Sequence, residues 1–346
     1  GAAGGTVGTG IGAFVGLIVI VLIYYLQRQN ILMDCQSDLS NGNESVKKIS
    51  FELIKTAVPI IIGTAIFSVT NLIDMKMVMT CLTANGNFTE HEADILYGQL
   101  TGKYVVLTTL PVSIATSVAT AIVPNIAESF VLKNMDTVKN KIDTALRLTM
   151  ILSIPAAVGI GVLGHQILLL LFPSYPGGGN LLIVGSISII FLALAQVSTG
   201  ILQGIGRVKT PAIAAFFGAF AKIPLNYVLI SNPRINVLGA VISTIACYFV
   251  ASMIDLAMLA HAIKTLPDII GALVKPLAAS MIMGLSCYFG YNLIYSLTYS
   301  NTFALLFVMF VGIIIYFFVL YFMKGIRQED LKLMPMGKKI NSILSK

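Results

Sequence analysis

The sequence has few of the residues from which catalytic and metal sites are usually built. It contains three histidines, four cysteines and no tryptophan among 346 residues, and only 11% of its residues are charged. The four cysteines lack metal-ligand spacing, so we interpret them as reduced or incidental, and we expect the histidines to be solvated or interfacial. No nucleophile elbow, phosphate-binding glycine loop or metal-ligand pair is present in the sequence. The sequence therefore predicts no enzyme, no metal and no cofactor.

Apolar residues are abundant instead, at 57% of the chain. A membrane span needs about 20 mainly apolar residues, and continuous runs rich in Leu, Ile, Ala and Gly favour helices over the alternating strands of a barrel. The pattern predicts an all-α, polytopic membrane helical bundle. We place its nine spans at 4–26, 52–79, 98–127, 141–163, 180–203, 211–230, 237–262, 270–295 and 301–323.

The positive charge follows the predicted loops. The formal net charge is +7, but the cations flank apolar runs, which favours a topology signal over a nucleic-acid surface. If residues 27–51 lie in the cytoplasm, 18 of the 22 Lys and Arg residues fall on that side. This bias predicts a multi-pass membrane protein with a cytoplasmic C-terminus.

An internal similarity suggests a duplicated architecture. Residues 1–13 resemble residues 239–251, and the two segments share Gly, Ala, Thr and Ala at equivalent positions. The second segment begins six spans after the first, as two parallel six-helix repeats would require. The chain opens without an initiator methionine, so we expect a fragment. Its predicted parts are the last helix of an N-terminal lobe (1–26), a cytoplasmic linker (27–51), a C-terminal six-helix lobe (52–263), two additional helices (264–323) and a basic cytoplasmic tail (324–346).

An ordered set of short segments resembles a known superfamily. The segments are PIIIG at 59–63, NLID at 71–74, YGQLTGK at 97–103, LP at 110–111, AIVPNIAE at 121–128, LQGIG at 202–206 with Pro211, KIPLNYVLI at 222–230 and INVLGA at 235–240. The set is similar to the multidrug/oligosaccharidyl-lipid/polysaccharide exporters, and within them to the stage V sporulation protein B-like oligosaccharide flippases. The resemblance covers nearly the whole chain.

The resemblance implies a MATE/MurJ-like protein of 14 helices, in which two six-helix lobes face a central cavity and two helices are appended. This chain would supply helices six to fourteen. The implied activity is alternating access that flips a lipid-linked oligosaccharide or peptidoglycan precursor, with a link to sporulation. The implied partners are that lipid-linked sugar, the bilayer and cell-envelope synthesis proteins, but no nucleic acid. Without helices one to five, we do not expect the fragment to transport alone.

Ionisable residues inside apolar spans mark candidate sites, because they are costly to bury in a membrane. Lys222 lies about 16 Å from one end of its span and Asp255 about 10 Å from the same side, at 1.5 Å per residue. We therefore predict a pair between Lys222 and Asp255. Either the two merely neutralise each other, or Lys222 faces the cavity and binds an anionic headgroup, with Asn226 extending a polar stripe. Pro224 lies between Lys222 and Asn226 and is a predicted hinge.

A second candidate group lies near the predicted outer surface. Asp74 and Lys76 end the second span and Lys103 begins the third. We expect either an outer gate or salt-bridge cluster that contacts substrate or, for the two lysines, simple interfacial contacts, which the pattern favours. Pro111 and Pro124 flank a helix rich in Thr and Ser, which indicates a bending helix.

Three functions remain open from the sequence. The first is a flippase for lipid-linked precursors, which the two additional helices and the deep lysine favour. The second is a cation-coupled multidrug antiporter of the same superfamily, and the third is a non-transporting membrane scaffold. The oligomeric state and the coupling ion are not indicated.

Overall fold

The computed structural model describes residues 2–36, 45–84 and 88–325, and every regular element in these ranges is helical. Residues 37–44 of the predicted linker and residues 326–346 of the predicted tail lie outside the described residues. The helices are α1 Ala2–Gln36, α2 Val46–Ala84, α3 Glu90–Gln99, a π-helical segment Leu100–Val105, α4 Val106–Thr120, α5 Val123–Val131, α6 Met135–Leu171, α7 Gly179–Gly185, α8 Ser188–Gly204, α9 Thr210–Ile230, α10 Leu238–Ile263, α11 Ile269–Thr298 and α12 Asn301–Phe322.

The predicted all-α membrane bundle is confirmed. Within the described ranges eight helical segments are long and apolar enough to cross a membrane, and a ninth is present if α7 and α8 form one span. Each of the nine predicted spans coincides with one of these segments. The fifth span is not the single helix that we expected, because α7 and α8 are bent by 51° at their junction.

The third span is broken in two places that its composition does not reveal. The π-helical segment Leu100–Val105 separates α3 from α4, and a turn at residues 121–122 separates α4 from α5. Hydroxyl groups bond to backbone carbonyls next to the π segment: Thr108 donates to the oxygen of Tyr104 and Thr109 to that of Val105, both over 2.8 Å. A π segment inside an α-helix often marks a functional position.

Several helices begin at side chains that cap exposed backbone N–H groups. Thr89 and Glu92 form a reciprocal capping box at the start of α3. Asn134 accepts from the amide of Thr137 at the start of α6, and Asp268 caps α11 in the same way. These short polar residues satisfy orphan donors, so they fix where each helix begins.

Contacts between Cα atoms divide the chain into two units, residues 1–54 and residues 55–346. In the first unit, α1 carries apolar side chains that are exposed throughout Gly10–Asn30. In the second unit, α6 packs against α4, α8 and α11, while α10 packs against α8 and α9. The second unit contains the candidate site.

The two C-terminal helices pack on α6 through a core of their own. Ile151 and Leu163 of α6 are buried against Met283 of α11 and Tyr316 of α12, and the Tyr316 hydroxyl donates to the carbonyl of Ile151 over 2.7 Å. The opposite face of α12 leaves large apolar side chains uncovered, such as Phe310 at 66% exposure. Such a surface is stable in lipid rather than in water.

Candidate functional site

A cavity of about 340 Å³, lined by both apolar and polar side chains, lies inside the second unit, between α2, α4, α8, α9 and α10. Its volume falls within the range of about 300–1,000 Å³ that is typical of small-molecule sites. Hydroxyl, amide and charged side chains line it, including Thr64, Thr70, Asn71, Thr109, Gln196, Thr199, Gln203, Lys222, Tyr248 and Asp255. The cavity therefore gathers polar groups from helices that are otherwise strongly apolar.

Three helices are joined by a buried polar network at one end of this cavity. Lys222 of α9 forms a salt bridge with Asp74 of α2. Asn226, one turn along α9, donates its Nδ2 to Oδ1 of the same carboxylate over 2.6 Å, and its Oδ1 accepts from the hydroxyl of Ser243 on α10. These four side chains, which we call the Asp74 network, are all buried. Every charge in it is paired, so α2, α9 and α10 are linked without an uncompensated ion.

The predicted pair between Lys222 and Asp255 is wrong. The ends of the predicted spans place the two residues at similar depths in the membrane, but the contacts between α9 and α10 place them at different depths. Asn226 lies level with Ser243, and Gly218 lies against the backbone of Cys247. On the antiparallel helix α10 the level of Lys222 therefore falls between Ser243 and Cys247. Asp255 lies roughly 12–18 Å further along the helix axis, at 1.5 Å per residue. The carboxylate that reaches Lys222 comes from α2 instead.

Asp255 has a different environment in the same cavity. Its residue exposure is 2%, and its Oδ2 accepts from the hydroxyl of Thr199 on α8 over 3.0 Å. Its Oδ1 is buried and has no hydrogen-bond partner among the described residues. A buried carboxylate oxygen without a donor is unusual, since burying an unpaired charge is costly.

The expected outer cluster of Asp74, Lys76 and Lys103 is not formed. Asp74 belongs to the Asp74 network, and Lys76 is exposed on α2. Lys103 donates to the backbone carbonyls of Tyr175 and of Gly177, the latter over 2.9 Å. Its ammonium also lies 5.1 Å from the ring centre of Phe172. Lys103 thus connects the π-helical segment to the loop between α6 and α7. In this loop Gly178 has a left-handed φ of 98°.

The three predicted hinge prolines occupy different positions. Pro111 lies inside α4 and Pro224 inside α9, whereas Pro124 lies in the first turn of α5, directly after the break at 121–122. Proline is favoured in the first turn of a helix because the missing N–H is not needed there. Whether any of them acts as a hinge stays a prediction.

Some members of the cavity were not singled out by the sequence. Ser243 and Thr199 are short polar residues in apolar helices, and many such residues merely bond to their own backbone, as Ser252 does to Phe249. Only the packing shows which hydroxyl meets a side chain of another helix. Among the described residues, no group of three or more His, Cys, Asp or Glu side chains is arranged to hold a metal ion.

The helices and the cavity define the class of this protein: it is a polytopic α-helical membrane protein with a charged interior. A family model described as "Lipid II flippase MurJ" matches residues 3–318 of the chain. The chain therefore belongs to the MurJ family, which is a family of flippases and not of catalytic enzymes. The resemblance to the exporter superfamily is confirmed at this level.

Relatives agree with this assignment. The chain is 30% identical over 285 residues to "Lipid II flippase MurJ" of Bacillus subtilis (strain 168), covering 80% of this chain and 51% of the relative. It is 24% identical over 193 residues to "Stage V sporulation protein B" of the same organism, covering 56% of this chain and 36% of that protein. The chain spans about half the length or less of these curated relatives.

A solved structure shares the fold. The chain is similar to "Lipid II flippase MurJ, inward closed conformation" with a TM-score of 0.59 and 21% sequence identity, over 81% of this chain and 55% of that one. At this identity the likeness concerns the fold.

Proposed function

We propose that this chain is the C-terminal part of a carrier that flips a lipid-linked peptidoglycan or oligosaccharide precursor across the bacterial cytoplasmic membrane. The observation that carries the proposal is the family match, which extends over residues 3–318. The relative with 30% identity is named a lipid II flippase, so lipid II is the cargo that we propose first.

The chemistry of the cavity supports a polar cargo. Flipping a lipid-linked sugar makes and breaks no covalent bond; it requires a polar compartment for the headgroup while the lipid tail remains in the bilayer. Hydroxyl and amide side chains such as Thr109, Gln196 and Gln203 line the cavity and can replace the water that a sugar loses. A volume of about 340 Å³ would accommodate part of such a headgroup.

Lys222 is the proposed contact for the anionic part of the cargo. In the state described, Asp74 neutralises it. An incoming pyrophosphate would compete with Asp74 for the ammonium group, because both are anions that accept from it. Asn226 holds the carboxylate from the other side, so binding of cargo at Lys222 would loosen the contact between α2 and α9.

The orientation that we propose follows from the charges. With 18 of 22 Lys and Arg residues on one side, the C-terminus would lie in the cytoplasm. Labelling of single cysteines by a membrane-impermeant reagent in intact cells tests this: a cysteine in place of Ser300, between α11 and α12, should react, whereas one at Thr265 should react only after lysis.

The function is tested in the full-length protein that contains this chain. It is expressed in a bacterium depleted of its own flippase, and lipid II that reaches the outer leaflet is measured with an external probe. The unmodified protein should restore outer-leaflet lipid II. Absence of transport by a folded, membrane-inserted protein would contradict the proposal.

The role of Lys222 is tested with a matched pair of variants. Lys222→Gln alone removes the cation but leaves Asp74 buried without its partner. Lys222→Gln combined with Asp74→Asn removes both charges and leaves no unpaired ion. If Lys222 binds the headgroup, the double variant folds but does not transport lipid II. If Lys222 and Asp74 only neutralise each other's charge, the double variant transports normally, and Lys222 is then not a substrate contact.

A further inference from the structure

The proline inside α6 leaves one backbone carbonyl without its usual helical partner. Pro155 lies in the interior of α6 and has no N–H. In a regular helix that N–H would donate to the carbonyl four residues earlier, which is the carbonyl of Ile151. Ile151 is fully buried, so water does not replace the missing donor. The carbonyl therefore requires a donor from another part of the protein.

Tyr316 of α12 supplies this donor. Its hydroxyl donates to the carbonyl oxygen of Ile151 over 2.7 Å, and both residues are buried. A tyrosine hydroxyl in an apolar core is costly unless it is hydrogen-bonded. One bond thus satisfies two buried groups, the hydroxyl of α12 and the carbonyl that Pro155 leaves without a helical donor.

Two other prolines inside helices lack such a contact. Pro111 removes the helical donor to the carbonyl of Leu107 in α4, and Pro224 removes the donor to that of Phe220 in α9. Within the described ranges neither carbonyl accepts from a side chain of another helix, unlike the carbonyl of Ile151. The proline break of α6 is therefore held by a neighbouring helix, whereas those of the cavity helices α4 and α9 are not.

The geometry of α6 at this break affects the wall of the cavity. Ile154, directly before Pro155, is buried in the same core as Val112 of α4 and Leu192 of α8. Leu192 also lines the cavity. A change in the bend of α6 would therefore displace the side chains against which the cavity wall packs.

Further contacts join the two C-terminal helices to α6 near its ends. The side-chain amide of Asn301, at the start of α12, donates to the carbonyl of Gln166 over 3.2 Å and accepts from the hydroxyl of Tyr291 on α11. Near the other end, Asp143 of α6 accepts from the backbone amide of Asp268, the residue that caps α11. Hydrogen bonds therefore connect α6 to α11 and α12 near both ends as well as at the proline break.

We propose that Tyr316 is a positioning residue, which holds the proline break of α6 in one geometry and so makes α6, α11 and α12 one rigid frame. The cavity helices α4 and α9 move against this frame. The effect of Tyr316 on α6 does not depend on the nature of the cargo. The motion against the frame rests on the proposed function.

The first experiment is a cycle of substitutions in the purified full-length protein. Spin labels on cysteines that replace Asn140 and Leu169, which are exposed on α6 on either side of Pro155, report the bend of the helix as a distance. Tyr316→Phe removes the donor and should broaden the distribution of this distance. Pro155→Ala restores an N–H that can donate to Ile151, so adding Tyr316→Phe to Pro155→Ala should leave the distribution unchanged.

Tyr291→Phe is the matched control. It removes a tyrosine hydroxyl bond between α11 and α12 but leaves the carbonyl of Ile151 with its donor, so the distribution should stay narrow. The proposal is overturned if Tyr316→Phe leaves the distribution unchanged, or if it broadens it equally with proline and with alanine at position 155. If Tyr316→Phe does not fold, recovery of folding by Pro155→Ala supports the proposal, and no recovery overturns it.

The second experiment tests the rigid frame. Labels at positions 169 and 310 measure α6 against α12, and labels at positions 169 and 227 measure α6 against α9; Leu169, Phe310 and Tyr227 are all exposed. Adding lipid II should change the second distance and leave the first unchanged. A change in the first distance as large as in the second overturns the frame, and so does binding of lipid II that changes neither distance. If lipid II does not bind, the proposed function fails, whereas the substitution cycle still decides the role of Tyr316.

Discussion

Two buried aspartates have opposite environments: Asp255 lines the cavity, whereas Asp74 lies behind it and pairs with the cavity residue Lys222. Asp74 is 8% exposed and is fully engaged by Lys222 and Asn226. Asp255 is 2% exposed, yet within the described ranges only one of its oxygens has a donor, the neutral hydroxyl of Thr199. Aspartate thus forms a fully hydrogen-bonded ion pair at one position, and at the other it has an oxygen without a donor among the described residues.

The difference separates a carboxylate that connects helices from one that has an oxygen without a hydrogen-bond donor among the described residues. A paired and hydrogen-bonded carboxylate links helices, and removing its partner leaves an uncompensated charge. A half-satisfied carboxylate costs stability in the absence of a ligand and regains it when one binds. The two positions should therefore respond in opposite directions to the same substitution of Asp by Asn.

The largest effect is expected for Asp74→Asn. It leaves the ammonium of Lys222 buried without a counter-charge, which should lower the free energy of unfolding by about 3 kcal/mol. Thermal unfolding of the full-length protein in detergent measures the loss. Adding Lys222→Gln to Asp74→Asn should recover most of it, and equal losses in the single and double variants would show that the salt bridge does not stabilise the fold.

The contact between α9 and α10 is expected to be nearly as sensitive. A Cβ atom at Gly218 would lie 2.7 Å from the carbonyl oxygen of Cys247, so Gly218→Ala must push α9 away from α10 and from Ser243. We expect a loss of about 1–3 kcal/mol, as for other overpacked contacts, measured by thermal unfolding.

Gly98→Ala in α3 is the control for that substitution, because no atom of the described residues lies within 4 Å of a Cβ atom there. It should be neutral or raise stability by about 0.5–1 kcal/mol, since alanine loses less conformational freedom in a helix than glycine does. If Gly218→Ala behaves like Gly98→Ala, close packing of α9 on α10 is not what positions the Asp74 network.

Ser243→Ala tests the end of the Asp74 network. It removes the donor to Oδ1 of Asn226, which is 0% exposed, and should cost about 1–2 kcal/mol because the buried amide oxygen is left without a partner. Ser252→Ala on the same helix is the control: in the part of the chain that the structure describes, its hydroxyl donates to the carbonyl of Phe249 on its own helix and not to another helix. A cost for Ser252→Ala as large as that for Ser243→Ala would contradict a specific role of the network.

The sequence predicts the fold well because lipid imposes one constraint on every span. Apolar length and helix-forming composition are sufficient to locate all nine segments. They do not reveal the π segment at Leu100–Val105 or the bend of 51° between α7 and α8. These features arise from packing, for example where Gly185 gives room to the ring of Tyr104.

The sequence predicts which residues belong to the candidate site better than it predicts the contacts between them. Lys222, Asn226, Asp74 and Asp255 were all singled out, since ionisable and amide groups are costly in spans. Their partners could not be derived, because an error of a few residues in a helix end moves a side chain by several ångströms along the axis. The register of α9 against α10 decides which carboxylate Lys222 meets, and that register is set by small residues such as Gly218.

The smallest effect, with the opposite sign, is expected for Asp255→Asn. At neutral pH it removes a buried charge that has no counter-charge among the described residues, while the amide oxygen can still accept from Thr199, so stability should rise by up to about 1 kcal/mol. As the pH is lowered, a proton neutralises the carboxylate of the unmodified protein, and the advantage of the variant should shrink. Thermal unfolding across a pH series measures this convergence. A loss at neutral pH as large as that of Asp74→Asn would instead mean that Asp255 has a counter-charge outside the described residues, and the contrast between the two aspartates would disappear.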